Sequence, residues 1–144
     1  EADCWLRLFT HDLGLITVVE NMVKELGRNT EIKTNFITTG KYNDLPIEVE
    51  TAIYRCIQES LTNVARHSSA KNVSVNISFI SSKKVLAIIK DDGVGFDVDS
   101  STGRTKHLGL VGMKERVELL SGVIKITSTK GIGTEIKISI PLGE

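Results

Sequence analysis

Net charge is the first thing this sequence lacks. Its 144 residues carry 18 basic and 18 acidic side chains, which cancel to a formal net charge of zero. Proteins that grip nucleic acid by neutralising phosphates show a basic excess, so direct nucleic-acid binding is not expected. No apolar run approaches the roughly 20 residues of a membrane span, so any membrane anchor would belong to other parts of a longer protein. Cysteine is scarce: Cys4 and Cys56 stand far apart with no CxxC, which gives neither a disulfide framework nor a zinc site. Both read as reduced, structural thiols, which suits the cytoplasm. Signal-peptide pattern, internal repeat and low-complexity tract are all missing. So is GxxxxGK[ST], which removes a P-loop. What remains is an ordinary soluble profile, 40% hydrophobic and 25% charged. It is long enough for one domain, 1–144, to bury a core without staples.

Periodicity supplies the elements. Leu15, Val18, Val19, Met22, Val23 and Leu26 recur at helical spacing, with Gly27 near the helix end. EIKTNFITTG alternates as a strand. In NDLPIEVETAIYRCIQESLTNVARHSSA, Asn43 or Asp44 is the expected N-cap and Pro46 falls in the first turn. Ile47, Val49, Ile53, Ile57, Leu61 and Val64 form the inward stripe of a helix running to about His67. NVSVNISFI alternates cleanly, SSKK turns, and the unbroken VLAIIKD suggests a strand buried on both faces. LGLVGMKERVELLSG is a helix with Val111, Met113, Val117 and Leu120 inward and Gly122 at its C-terminal end. VIKITST and TEIKISIP, joined by KGIG, close the chain as two strands. This order predicts an α+β fold, a two-layer sandwich of one mixed sheet with helices on one face.

Three constellations carry chemistry. Glu59, Asn63 and His67 stand at i, i+4 and i+8, so they rise from one helix face. A carboxylate, an amide oxygen and an imidazole in a row suit a hard cation and phosphate oxygens, although a solvated helix face has the same spacing. DDGVGF ends an apolar strand in Asp91, with Gly93 and Gly95 at once behind it. An acid at a strand rim can accept a hydrogen bond from an exocyclic amine, and glycines allow close backbone approach; an Asp–Gly turn is the plain structural equivalent. HLGLVGM places Gly109, Leu110 and Gly112 where a helix begins and its free amides form an anion site. A smaller feature, KGIGTE, sets Thr134 after a glycine hairpin, where a hydroxyl can reach a base through water.

Together, in this order and spacing, these boxes resemble the ATP-binding fold of the gyrase, heat-shock chaperone, histidine kinase and MutL superfamily (the GHKL ATPases, a Bergerat-type fold). The resemblance runs from about His11 to Leu142. It is strongest to the catalytic domain of bacterial sensor histidine kinases. Within these, AIYRCIQESLTNVARHSSA and GLVGMKERVELLSG are similar to the branch paired with helix-turn-helix response regulators.

The resemblance implies ATP and Mg²⁺ as ligands. QESLTNVARH matches the N box, so Asn63 would hold Mg²⁺, Glu59 would orient or polarise a water or the attacking group, and His67 would touch phosphate. DDGVGF matches the G1 box, with Asp91 reading the adenine amine and Gly93 and Gly95 letting the base approach. HLGLVGM matches the G2 box, its amides at Gly109, Leu110 and Gly112 meeting phosphates, and GIGT brings Thr134 near the base. The polar loop 96–108 would be an ATP lid, with Gly95, Gly103 and Gly109 as hinges and Arg104 and Lys106 able to pair with phosphate.

The reaction implied is transfer of the γ-phosphoryl group to a histidine on a separate dimeric helical domain, preceding residue 1 and reached through a linker ending in 1–10. A response regulator with a DNA-binding output domain would follow in the relay. His11-Asp12 resembles a phosphoacceptor His and acid only superficially, because a single short helix follows it rather than a dimerising hairpin. Three other readings stand beside this one. They are a serine kinase like some anti-sigma factors, a gyrase-like clamp needing a transducer domain, and a non-catalytic module that senses nucleotide or docks proteins.

Overall fold

A computed structural model describes residues 14–41, 45–96 and 108–143. The expected N-caps Asn43 and Asp44, the linker 1–10, His11, Cys4 and the lid residues 97–107 lie outside the described residues.

The chain forms α1 (Leu15–Asn29), β1 (Lys33–Thr39), α2 (Ile47–Asn63), a π-helical turn (Val64–Ser68), β2 (Asn72–Ile80), β3 (Lys84–Asp91), α3 (Leu108–Glu118), β4 (Val123–Thr129) and β5 (Gly133–Pro141). Five strands make one sheet in the order β1-β2-β3-β5-β4. β1 runs parallel to β2, and all other pairs are antiparallel. The single parallel pair follows from the crossover: β1 reaches β2 through α2, whereas β2–β3 and β4–β5 are hairpins. Ser81 and Ser82 turn the first hairpin with φ of 52° and 59°, the left-handed pair that a tight hairpin demands.

All three helices cover one face. α1 packs on β1 and α2, α2 on β3 and α3, and α3 on β4. The sheet answers with alternating residues: Val73, Val75, Ile77 and Phe79 on β2, Val85, Ala87 and Ile89 on β3, and Ile136, Ile138 and Ile140 on β5 are all buried. Each such side chain contributes about 1.5–3 kcal/mol when taken out of water, so this layer dominates the fold's stability.

Four expectations change in detail. β3 is not buried on both faces: Leu86 and Ile88 are only half-buried, because no helix among the described residues covers the second face of the sheet. Pro46 is the N-cap of α2 rather than a first-turn residue; its fixed φ admits the chain to the helix, and its missing N–H costs nothing there. On α3, Val111 points outward and is 54% exposed, while Leu110, Met113 and Val117 face the core. Finally, Ser121 rather than Gly122 takes the left-handed position after α3, with φ of 60°. Gly122 serves close packing instead: a Cβ there would come within 2.7 Å of the Ser139 carbonyl oxygen.

Candidate nucleotide site

One pocket gathers residues from the end of α2, the π turn, the end of β3, the loop behind it, the first turn of α3 and the start of β5. Its walls include Asn63, His67, Asp91, Gly95, Leu110 and Thr134. These six candidates, spread over 72 positions from Asn63 to Thr134 in the sequence, meet in one place.

Asp91 is the last residue of β3, and strand parity decides which way it faces. Val85, Ala87, Ile89 and Asp91 share the helix side, so Asp91 turns inward and is 9% exposed. Its Oδ1 accepts the Gly93 N–H at 2.8 Å. Burial pushes its carboxyl above the ordinary value, and neighbouring Asp92 adds a smaller push; backbone N–H bonds from Gly93 and Thr134 pull the other way. Asp92, one residue on, faces outward. Its carboxylate accepts the Asn72 side-chain amide at 2.7 Å and the backbone amides of Asn72 at 2.8 Å and Lys71 at 2.9 Å. Those bonds, the Asn72 side chain first, lower its pKa. Two adjacent aspartates thus do different work: one lines the pocket, and the other caps the start of β2.

The glycines of DDGVGF are structural requirements as well as site features. A Cβ on Gly93 would fall 2.3 Å from the Ser68 carbonyl oxygen, and Val94 N–H donates to that same oxygen at 2.6 Å. Gly95 has φ of 64° and sits against the Thr129 carbonyl, where a Cβ would approach to 2.2 Å. The loop is therefore clamped between the π turn and the β4–β5 hairpin, with Gly95 on the pocket wall.

Asn63 ends α2 half-buried on the pocket wall. The helix does not continue regularly to His67. It widens to the π turn Val64–Ser68, and Ser69, with φ of 52°, stops it. His67 still reaches the pocket but is exposed, so the strict i, i+4, i+8 row breaks after its second member. Such π turns frequently mark functional sites.

Glu59 lies outside the pocket lining, at the seam between α2 and α3. Its carboxylate occupies the space that a side chain on Gly109 would need: a Cβ there would come within 2.2 Å of Oε1. Gly112 faces open space, with no atom within 4 Å of a built Cβ. Leu110 is buried on the pocket side of α3. Its helix-mates Met113 and Val117, fully buried, hold α3 against the core so that the first turn faces the pocket.

Sequence reasoning missed Ser128 on β4. Its hydroxyl lies 2.8 Å from Thr134 Oγ1 and accepts the Phe96 N–H at 2.9 Å. Residue 128 shares the parity of inward-facing Ile124 and Ile126, and this parity was the available signal. A larger groove, about 740 Å³, opens on the other side of Asp91 and Thr134, which line both, and its further walls include Lys33, Asn35, Lys90 and Glu135. Most of its side chains are exposed and its Asp92 is committed to β2, so the convergent chemistry sits in the smaller pocket.

Comparison with known proteins agrees with this geometry. The family model described as "Histidine kinase-, DNA gyrase B-, and HSP90-like ATPase" matches residues 48–144. The signal transduction histidine-protein kinase/phosphatase DegS of Brevibacillus brevis is 40% identical over 94% of this chain and 34% of its own length. DegS of Bacillus subtilis is 37% identical over 91% of this chain and 35% of its own, and the sensor histidine kinase ComP of B. subtilis is 35% identical over 92% and 17%. The chain thus spans about a third of the two DegS relatives. Among solved structures, the histidine kinase domain of the Erythrobacter litoralis EL346 blue-light activated histidine kinase superposes with a TM-score of 0.74. It is 24% identical, over 89% of this chain and 61% of that one, and shares the fold.

Proposed function

We propose, from the premise that this chain belongs to the family of histidine kinase-, DNA gyrase B- and HSP90-like ATPases, that it is the ATP-binding catalytic domain of a two-component sensor kinase. It binds Mg-ATP and presents the γ-phosphoryl group to a histidine on a separate dimeric helical domain. A response regulator with a DNA-binding output domain then receives the phosphoryl group. The observation that carries this reading is the meeting of a buried acid, Asp91, with Asn63, the first turn of α3 and Thr134 around one pocket.

Each group has a task its environment suits. Asp91 accepts a hydrogen bond from the exocyclic amine of adenine, already aimed by the Gly93 and Thr134 amides. Gly95 lets the base lie close to the backbone. The free first-turn amides of α3, at Gly109 and Leu110, and the imidazole of His67 meet the phosphates; the Gly112 amide, expected to join them, lies one turn further on, where it bonds within the helix. Among the described residues no three His, Cys, Asp or Glu side chains converge on a metal site. A single amide oxygen fits magnesium, which keeps its waters and joins one or two protein ligands to substrate phosphates. Asn63 would hold it, and the ion would supply neutralisation of phosphate charge there. Catalysis of this kind rests on positioning and charge. The nucleophile is an imidazole supplied by the partner domain, and Glu59, beside the first turn of α3, orients the attacking group.

The test is a transfer experiment. This chain, γ-labelled ATP and Mg²⁺ are mixed with the dimeric helical domain of a DegS-type kinase, and label on that domain is followed. Acid-labile label, abolished by Asn63→Ala, is the expected result. Acid-stable label would shift the reading to a serine kinase. ATP binding without any transfer would leave a nucleotide-sensing module.

A further inference from the structure

Ser128 touches none of the ligand-facing positions predicted from sequence except one, and it touches that one in a way that sets its chemistry. Its Oγ accepts the Phe96 N–H at 2.9 Å, lies 2.8 Å from Thr134 Oγ1 and lies 3.3 Å from the Gly133 carbonyl oxygen. A serine hydroxyl has one proton and two lone pairs. Phe96 takes one lone pair. If Ser128 donates its proton to Gly133, the second lone pair accepts the Thr134 proton, and all three contacts are hydrogen bonds at once. If Ser128 donates to Thr134 instead, the Gly133 contact is lost. The first arrangement satisfies the most groups in a half-buried setting, where an unmade bond is costly.

In that arrangement Thr134 spends its only proton on Ser128 and offers the pocket nothing but lone pairs. Thr134 is the register partner of Asp91 across β3 and β5, and both line the pocket. The wall they form accepts hydrogen bonds and donates none from its side chains. Such a wall welcomes a base edge bearing an amine and rejects one bearing a carbonyl, because two facing acceptors leave both unpaired.

We infer that Ser128 is a specificity-determining positioning residue: by holding the Thr134 proton it fixes the Asp91–Thr134 wall as acceptor-only, and so selects amino-purine over oxo-purine nucleotides. This rests on the nucleotide reading above. Ser128 acts through Thr134 and does not itself contact the base.

The experiment compares ATP with inosine triphosphate, which carries a carbonyl where ATP has the amine, by calorimetric titration with Mg²⁺. In Ser128→Ala the Thr134 hydroxyl is free to rotate and donate to that carbonyl. The ATP-over-ITP preference should shrink about three- to tenfold, the size of one net hydrogen bond. Ser128→Thr keeps the hydroxyl and should stay within about twofold of wild type. Thr134→Val should shrink the preference likewise, and adding Ser128→Ala to it should change nothing further. A loss of polar packing alone would weaken both nucleotides equally, and that result overturns the inference. Should Ser128→Ala fail to fold, Thr134→Val decides: an unchanged ratio there also overturns it. Wild type that binds neither nucleotide would instead sink the nucleotide reading itself.

Discussion

Replacing Asp91 by Asn changes one atom and should move binding and stability in opposite directions. Asp91 is buried, and burial raises its pKa more than the Gly93 and Thr134 amides and the nearby Asp92 alter it. The native carboxyl therefore holds its proton to higher pH than the unfolded one. Between the two values the folded state binds the extra proton, so stability falls as pH rises through that window. Above it, the ionised side chain carries the full desolvation cost at every pH. Asn keeps the oxygen that accepts the Gly93 N–H and removes the charge. The free Asp91→Asn domain should thus melt higher than wild type at pH 7, with the gap closing as pH falls through that window toward the ordinary carboxylate value of about 3.9. Nucleotide binding should move the other way. Losing a charge-assisted hydrogen bond to the adenine amine costs about 1.5–3 kcal/mol, roughly one to two decades in affinity. Thermal melts from pH 3 to 8 and calorimetric titration with Mg-ATP read the two effects separately. A lower melting point at pH 7 would show that the amide bonds outweigh burial. Unchanged affinity would remove Asp91 from base recognition.

Gly133→Ala should destabilise the domain by about 1–3 kcal/mol or more, because φ is 139° and a Cβ would fall 2.1 Å from the Asp91 carbonyl oxygen; urea midpoints check it. Asn63→Ala should remove most of the gain in ATP affinity that Mg²⁺ gives wild type, an effect of about tenfold (~1.4 kcal/mol), measured by titrating with and without the ion. Gly109→Ala forces Glu59 aside, so it should lower the melting point, and Glu59→Ala in the same chain should restore much of the loss. Cys56 is fully buried, and burial pushes its thiol up to about 11, offset in part by Arg116. In a Cys4→Ser background it should resist a thiol reagent at pH 8 until denaturant unfolds the domain.

Most of the fold was legible because period and parity are local. Every expected helix and strand exists, since amphipathic spacing reports which face seeks the core. The departures share one cause, neighbours that sequence does not display. VLAIIKD looked buried on both faces, but among the described residues only one helix layer covers it. Val111 fitted an inward stripe, yet α3 is rotated so that Leu110 and Met113 take the core. The row Glu59, Asn63, His67 assumed an unbroken α-helix, and the π turn broke it. Ser128 drew no notice because a strand serine is unremarkable until Thr134 and Phe96 are beside it.

By itself the sequence determined the type and order of the elements, and its resemblance to a known family marked the boxes, Asp91 among them, that gather at the site. Chain-local alternation suffices for the elements, because a side chain's face follows from its position in a strand or helix. Tertiary structure decided the rest. It brought Asn63, Asp91, Leu110 and Thr134 to one pocket, set Glu59 against Gly109 rather than on the pocket wall, and made Gly93 and Gly95 indispensable through carbonyls from elsewhere in the chain. Those relations depend on distances between segments far apart in sequence, and such distances exist only once the layers have packed.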